Sequence, residues 1–137
     1  MLKIVRIKNF YKMAQKEFRK FEYSKDRDLS ADNLAEAGEK LWNVYNMLVE
    51  VVTSHPIRNE KELRKEIQSF GIKTGDFSLA YLYRDVYELH QYFYRGHAET
   101  GFEREIFIKV NNQIGKLILQ YNWKINIAIY KVNKMVA

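Results

Sequence analysis

Six glycines and one proline are all the turn-formers in a chain of 137 residues. They make up about 5% of it, where an average protein has roughly 12%. A sandwich or barrel of many short strands needs turn material at frequent intervals. This chain has material for a few long elements, and 137 residues suffice for one domain with one real hydrophobic core. There is no cysteine. That excludes a disulfide scaffold, a thiolate metal site and a cysteine nucleophile, and it fits a reducing, cytoplasmic interior. With 47% hydrophobic and 29% charged residues, the composition is neither that of a disordered tail nor that of a membrane protein. No apolar run reaches membrane-spanning length. Lys3, Arg6 and Lys8 interrupt the apolar start, so neither a membrane span nor a signal peptide is expected.

The formal charge of +6 is unevenly placed. Residues 1–28 carry 9 basic and 4 acidic side chains, a net +5. Residues 29–115 carry 10 and 13, a net −3, and residues 116–137 carry four lysines and no acid, a net +4. Basic ends around a mildly acidic middle suit encounter with a polyanion, and equally a solvated surface.

Apolar positions at Ile4, Ile7, Tyr11, Ala14, Phe18 and Phe21 step by three and four, which is one stripe of a helix. Lys8, Lys12, Lys16, Arg19 and Lys20 lie largely off it. Such a helix can pack on its own core with its lysines in water. It can also bind nucleic acid, or bind an anionic membrane surface if the stripe is uncovered. Residues 24–30 read as a connection, with Ser30 or Asp32 capping a second helix over Leu34, Leu41, Tyr45, Leu48 and Val52. Gly38 falls on that face and permits close helix approach. Pro56 follows the end of this helix. Asn59 and Glu62 predict the start of a third helix that Gly71 terminates, and Asp76 caps a fourth over about 77–95. Thr100 and Glu103 open a fifth, whose stripe continues through Ile106, Val110, Ile114 and Leu117 to Val132. Trp123, Ile125, Ile127 and Ile129 also alternate, so 123–137 is either a helical extension or a short strand. The expected fold is an all-α, up-and-down bundle of about five helices in one domain: a basic N-terminal helix over 1–28, a core over 30–122 and a C-terminal extension over 123–137.

The fourth helix holds the most informative run, from Tyr83 to Gly96. At 100° per residue, Leu79, Leu82, Val86, Leu89 and Phe93 make its core face. Tyr83, Tyr87, His90 and Tyr94 form a flank, with Arg84, Gln91 and Arg95 beyond. A histidine between tyrosines is commonly a hydrogen-bonded contact residue, because tyrosine bodies bury well while their hydroxyls stay wet. It is also suited to proton transfer, and an arginine to holding a phosphate. Cleavage of an RNA phosphodiester through its 2′-hydroxyl needs both tasks. The tyrosines can stack on unpaired bases.

Arg84-Asp85 followed by His90, and then His90-Gln91-Tyr92, resembles the signature of the HEPN superfamily (higher eukaryotes and prokaryotes nucleotide-binding domains). Leu89-His90-Gln91-Tyr92-Phe93-Tyr94-Arg95-Gly96 is similar to a run of the archaeal PaREP proteins, a HEPN-like group, as is Ala37-Gly38-Glu39-Lys40-Leu41-Trp42. The resemblance covers about residues 30–122 and leaves the basic first helix outside it. It implies a compact helical bundle that is commonly a homodimer. It also implies a metal-independent endoribonuclease, often paired as a toxin with a nucleotidyltransferase-like protein, or else a binding domain without activity. On this resemblance Arg84 and His90 are the catalytic pair and Asp85 the polar residue supporting them. Tyr83, Tyr87, Tyr94 and Arg95 are candidate RNA-binding residues beside them, and no cofactor is implied. Six positions apart on a regular helix, Arg84 and His90 point about 120° from each other. A single phosphate between them therefore calls for a distorted helix or a second copy of the chain. His55, His90 and His97 show no compact ligand spacing, so no metal site is expected.

Overall fold

The computed structural model describes residues 3–95 and 100–121. The chain is an all-α bundle of five helices: α1 (Lys3–Tyr23), α2 (Arg27–Thr53), α3 (Glu60–Thr74), α4 (Ser78–Arg95) and α5 (Thr100–Gln120). Among the described residues there is no strand. No described helix is long and apolar enough to cross a membrane. The alternation over 123–137 lies outside the described residues.

Helix α2 is the centre of the bundle and touches all four others. Its buried residues therefore extend well beyond one stripe, to Ala31, Ala35, Ala37, Trp42, Val44, Met47 and Val49. The expected face is buried too, with Leu34, Leu41, Tyr45 and Leu48 fully enclosed. Gly38 faces Leu89 of α4 at close range. A methyl group there would lie 3.2 Å from Cβ of Leu89, so an alanine would have to push the two helices apart. The Tyr45 hydroxyl reaches across the same seam and donates to the Leu79 carbonyl at 2.6 Å.

Helix α1 belongs to the same core. Ile7 and Ala14 are fully buried, and Phe18 stacks on Phe107 of α5 at 4.3 Å. Tyr11 donates to the Asn111 carbonyl at 3.0 Å, over Gly115, where a side chain would meet its hydroxyl at 2.7 Å. The basic N-terminal helix thus ends at Tyr23, short of the expected residue 28, and is packed into the bundle. From Ile7 to Phe21 its apolar stripe is buried or half-buried against the bundle, which removes the condition that membrane attachment required.

Two element boundaries differ from the sequence reading. Helix α2 begins earlier, at Arg27, because Asp26 is the better cap: its carboxylate accepts from the N–H groups of Asp28 and Leu29 at 3.0 and 3.1 Å. Ser30 sits inside α2, and its hydroxyl donates to the Phe21 carbonyl at 3.0 Å, tying α2 to the end of α1. Helix α3 runs past Gly71 to Thr74. Gly75 caps it with φ +76°, donating to the Gly71 carbonyl at 2.8 Å. Gly71 is buried within the helix because the Phe77 ring lies against it; a methyl group there would fall 2.4 Å from that ring. Asn59 caps α3 as expected, accepting from Glu62 N–H at 2.9 Å.

Asp76 holds the start of α4. One carboxylate oxygen accepts from the Ser78 N–H at 3.0 Å and its hydroxyl at 2.6 Å. The other accepts from Tyr121 at 2.5 Å and Gln120 at 3.1 Å, so the end of α5 is clasped to the beginning of α4. The Ser78 and Tyr121 hydroxyls and the Ser78 N–H hold the Asp76 carboxyl down at about 2.

Candidate functional site

Four residues of α4 bury its core face: Leu79, Leu82, Val86 and Leu89 are at most 5% exposed. Tyr92, on the side of that face away from the tyrosine flank, is buried as well. With that face fixed, the helical repeat turns the tyrosine flank towards α2 and α3 and the Arg84 flank towards α5.

On the tyrosine flank, His90 Nδ1 lies 2.9 Å from one carboxylate oxygen of Glu39 on α2 and 3.2 Å from the other. Its ring stacks on Trp42, one turn further along α2, with centroids 4.5 Å apart and planes 17° from parallel. The Tyr94 ring meets it edge-on at 5.1 Å. The His90 side chain is 24% exposed and that of Glu39 16%. The contact with Glu39 uses Nδ1 and leaves the other ring nitrogen, Nε2, outside it. Burial pushes the Glu39 carboxyl above its ordinary range, and the contact with His90 pulls the other way. Tyr83 and Tyr87 continue the aromatic shelf, stacked at 5.6 Å. The Tyr83 hydroxyl donates to Glu60 of α3 at 2.8 Å. Burial, and then the Glu60 carboxylate, push that hydroxyl well above the ordinary tyrosine range.

Beyond the tyrosine flank an open groove of about 710 Å³ runs between α4 and α5, lined by Tyr81, Arg84, Asp85, Tyr87, Phe102 and Lys109 among others, with Tyr87 at the boundary of the two surfaces. Tyr81 and Phe102 are strongly exposed, at 81% and 61%. Asp85 is held by Lys109 at 2.7 Å. Arg84 has no ion-pair partner among the described residues.

The expected catalytic trio is therefore divided within one chain. His90 faces α2, Arg84 opens into the α4–α5 groove, and Asp85 is engaged by α5 rather than supporting His90. Tyr83, Tyr87 and Tyr94 do surround the histidine flank. Arg95 closes α4, and its side chain lies outside the described residues. The sequence reading missed Glu39 and Trp42 as neighbours of His90. Both stand in the Ala37–Trp42 segment, three positions apart and so on one side of α2; that spacing was the available signal. No group of three or more metal-ligating side chains gathers among the described residues. Compared with protein-family models, with curated proteins and with solved structures, the chain matches none.

Proposed function

We propose that this chain works as a non-catalytic helical interaction module that pairs with a second copy of itself through the α4–α5 groove. The observation that carries this reading is the division of Arg84 from His90 across α4, which leaves one chain without an assembled cleavage pair. The groove supports a self-complementary contact. It holds Arg84 and Lys109 together with Asp85 and Glu88, two charges of each sign, beneath the exposed rings of Tyr81 and Phe102. A two-fold contact brings Arg84 towards the acidic side chains of the other copy. The HEPN-like run in α4 agrees with a homodimeric binding domain.

A second reading, RNA binding with metal-independent cleavage, is favoured by the Glu39–His90 contact. A carboxylate on Nδ1 orients the imidazole and leaves Nε2 to take a proton from a 2′-hydroxyl. The phosphate would then be held by Arg84 of a second copy. One pair of measurements separates the two. Light scattering on the eluting protein is expected to give about 33 kDa, twice the chain mass of 16.5 kDa, and Arg84→Glu to lower it to that of a monomer. RNA incubated with the protein in chelator is expected to stay intact with both wild type and His90→Ala. Cleavage by wild type that His90→Ala abolishes would replace the module reading with the nuclease one. A monomeric wild type would reject self-pairing and leave the groove to a different protein, such as a nucleotidyltransferase-like partner.

A further inference from the structure

Helix α1 has a second face that neither α4 flank uses. Projected at 100° per residue, Lys8, Arg19, Lys12, Lys16 and Lys20 fall in that angular order within an arc of about 120°. The arc lies roughly opposite buried Ile7 and Ala14 and half-buried Phe18. All five cations are exposed, and no carboxylate of α1 falls inside the arc. Glu17, at its edge, meets Lys20 at 3.3 Å; among the described residues no other cation of the arc is paired with an acid. Lys8 to Lys20 spans about 18 Å of helix axis at 1.5 Å per residue. Tyr23, 83% exposed, sits in the same arc at its C-terminal end, and exposed Lys25 and Arg27 follow. Helix α1 packs on α2 and reaches α5 through long side chains, and its backbone does not come close to that of α4, so this surface lies apart from both flanks of α4.

We infer that the outer face of α1 binds the phosphate backbone of a nucleic acid. A row of cations on one rigid helix, all but Lys20 without an acidic partner among the described residues, concentrates positive charge where counterions of a polyanion can be displaced, and an exposed tyrosine at its end can stack on an unpaired base. An anionic membrane surface has the same charge, but a helix that lies on a bilayer inserts its apolar face. Here that face is buried against α2 and α5. What remains is a ridge dominated by cations, with Met13 beside it and Tyr23 at its end as exposed apolar bodies, which suits phosphates in water.

The test uses the full chain and a labelled 20-nucleotide oligouridylate, with fluorescence anisotropy read between 50 and 200 mM salt. The wild type is expected to bind with strong salt dependence. The variant K8Q/K12Q/K16Q keeps good helix formers at exposed positions. It is expected to bind at least tenfold more weakly, with a log–log salt slope shallower by about 2, near 0.7 per lost contact. K61Q/K65Q/K73Q removes the same charge from the exposed surface of α3 and is expected to stay within about threefold of wild type. Circular dichroism of both variants checks that the helices persist. Absence of binding by the wild type would overturn the proposal. So would equal losses from the two triple variants, which would reduce the effect to net charge. Capture by vesicles containing phosphatidylserine without oligouridylate binding would overturn it in favour of a membrane surface. Oligomeric state and RNA cleavage do not enter this result, so it stands or falls independently of the α4 readings.

Discussion

Single side chains decide how tightly α4 seats on α2. Tyr45 is fully buried, and its hydroxyl donates to the Leu79 carbonyl at 2.6 Å. Burial pushes that hydroxyl far above the ordinary tyrosine range, so it remains a donor at any ordinary pH. Tyr45→Phe keeps the ring and removes the donor. It is expected to lower stability by about 1 kcal/mol, seen as a lower urea midpoint with an unchanged slope. An unchanged midpoint would mean that the bond contributes nothing net. At this scale the sequence showed which side chains of α4 share a flank, because that depends only on the helical repeat: Tyr83, Tyr87, His90 and Tyr94 do line up. It could not show what they meet. Glu39 facing His90 and Lys109 facing Asp85 join helices 51 and 24 positions apart, and such pairings depend on the order in which the helices pack.

Between elements, the Asp76 clasp joins the first turn of α4 to the last turn of α5. Its titration has a definite sign. The carboxyl is held at about 2 in the fold, below the roughly 3.9 of an unfolded aspartate. It therefore adds stability above about pH 4, and that contribution is lost as pH falls towards 2. Asp76→Asn is expected to be less stable than wild type at pH 6, and the two urea midpoints should converge as pH approaches 2. A gap that stays constant down to pH 2 would show that the ionised carboxylate is not what the clasp uses. The existence of each helix was legible because the apolar stripes are long and turn-formers are few. The ends were less so. Asp26 outranked Ser30 as a cap because it stands where α1 releases the chain. Gly71 looked like a stop but serves as a seat for the Phe77 ring, a contact that exists only after α3 and α4 have folded together.

At the scale of the whole molecule, α1 is part of the core rather than an appendage, although the charge asymmetry and the limits of the family resemblance both set it apart in the sequence. Ile7, Ala14 and Phe18 fill space against α2 and α5, and Glu22 pairs with Arg104 at 2.9 Å. Removing residues 1–23 would expose this apolar surface at a cost of roughly 1.5–3 kcal/mol for each large side chain uncovered. That is a large share of the 5–15 kcal/mol by which a domain is usually stable. The truncated chain is expected to lose its cooperative thermal transition by circular dichroism. A sharp transition would instead show that residues 24–137 fold without α1. On the proposal that the lysine ridge captures a polyanion, folding and capture would be thermodynamically linked, because one helix both completes the core and displays the ridge. A bound strand would add to the melting temperature by mass action, and a chain that let α1 come loose would drop its cargo in the same step.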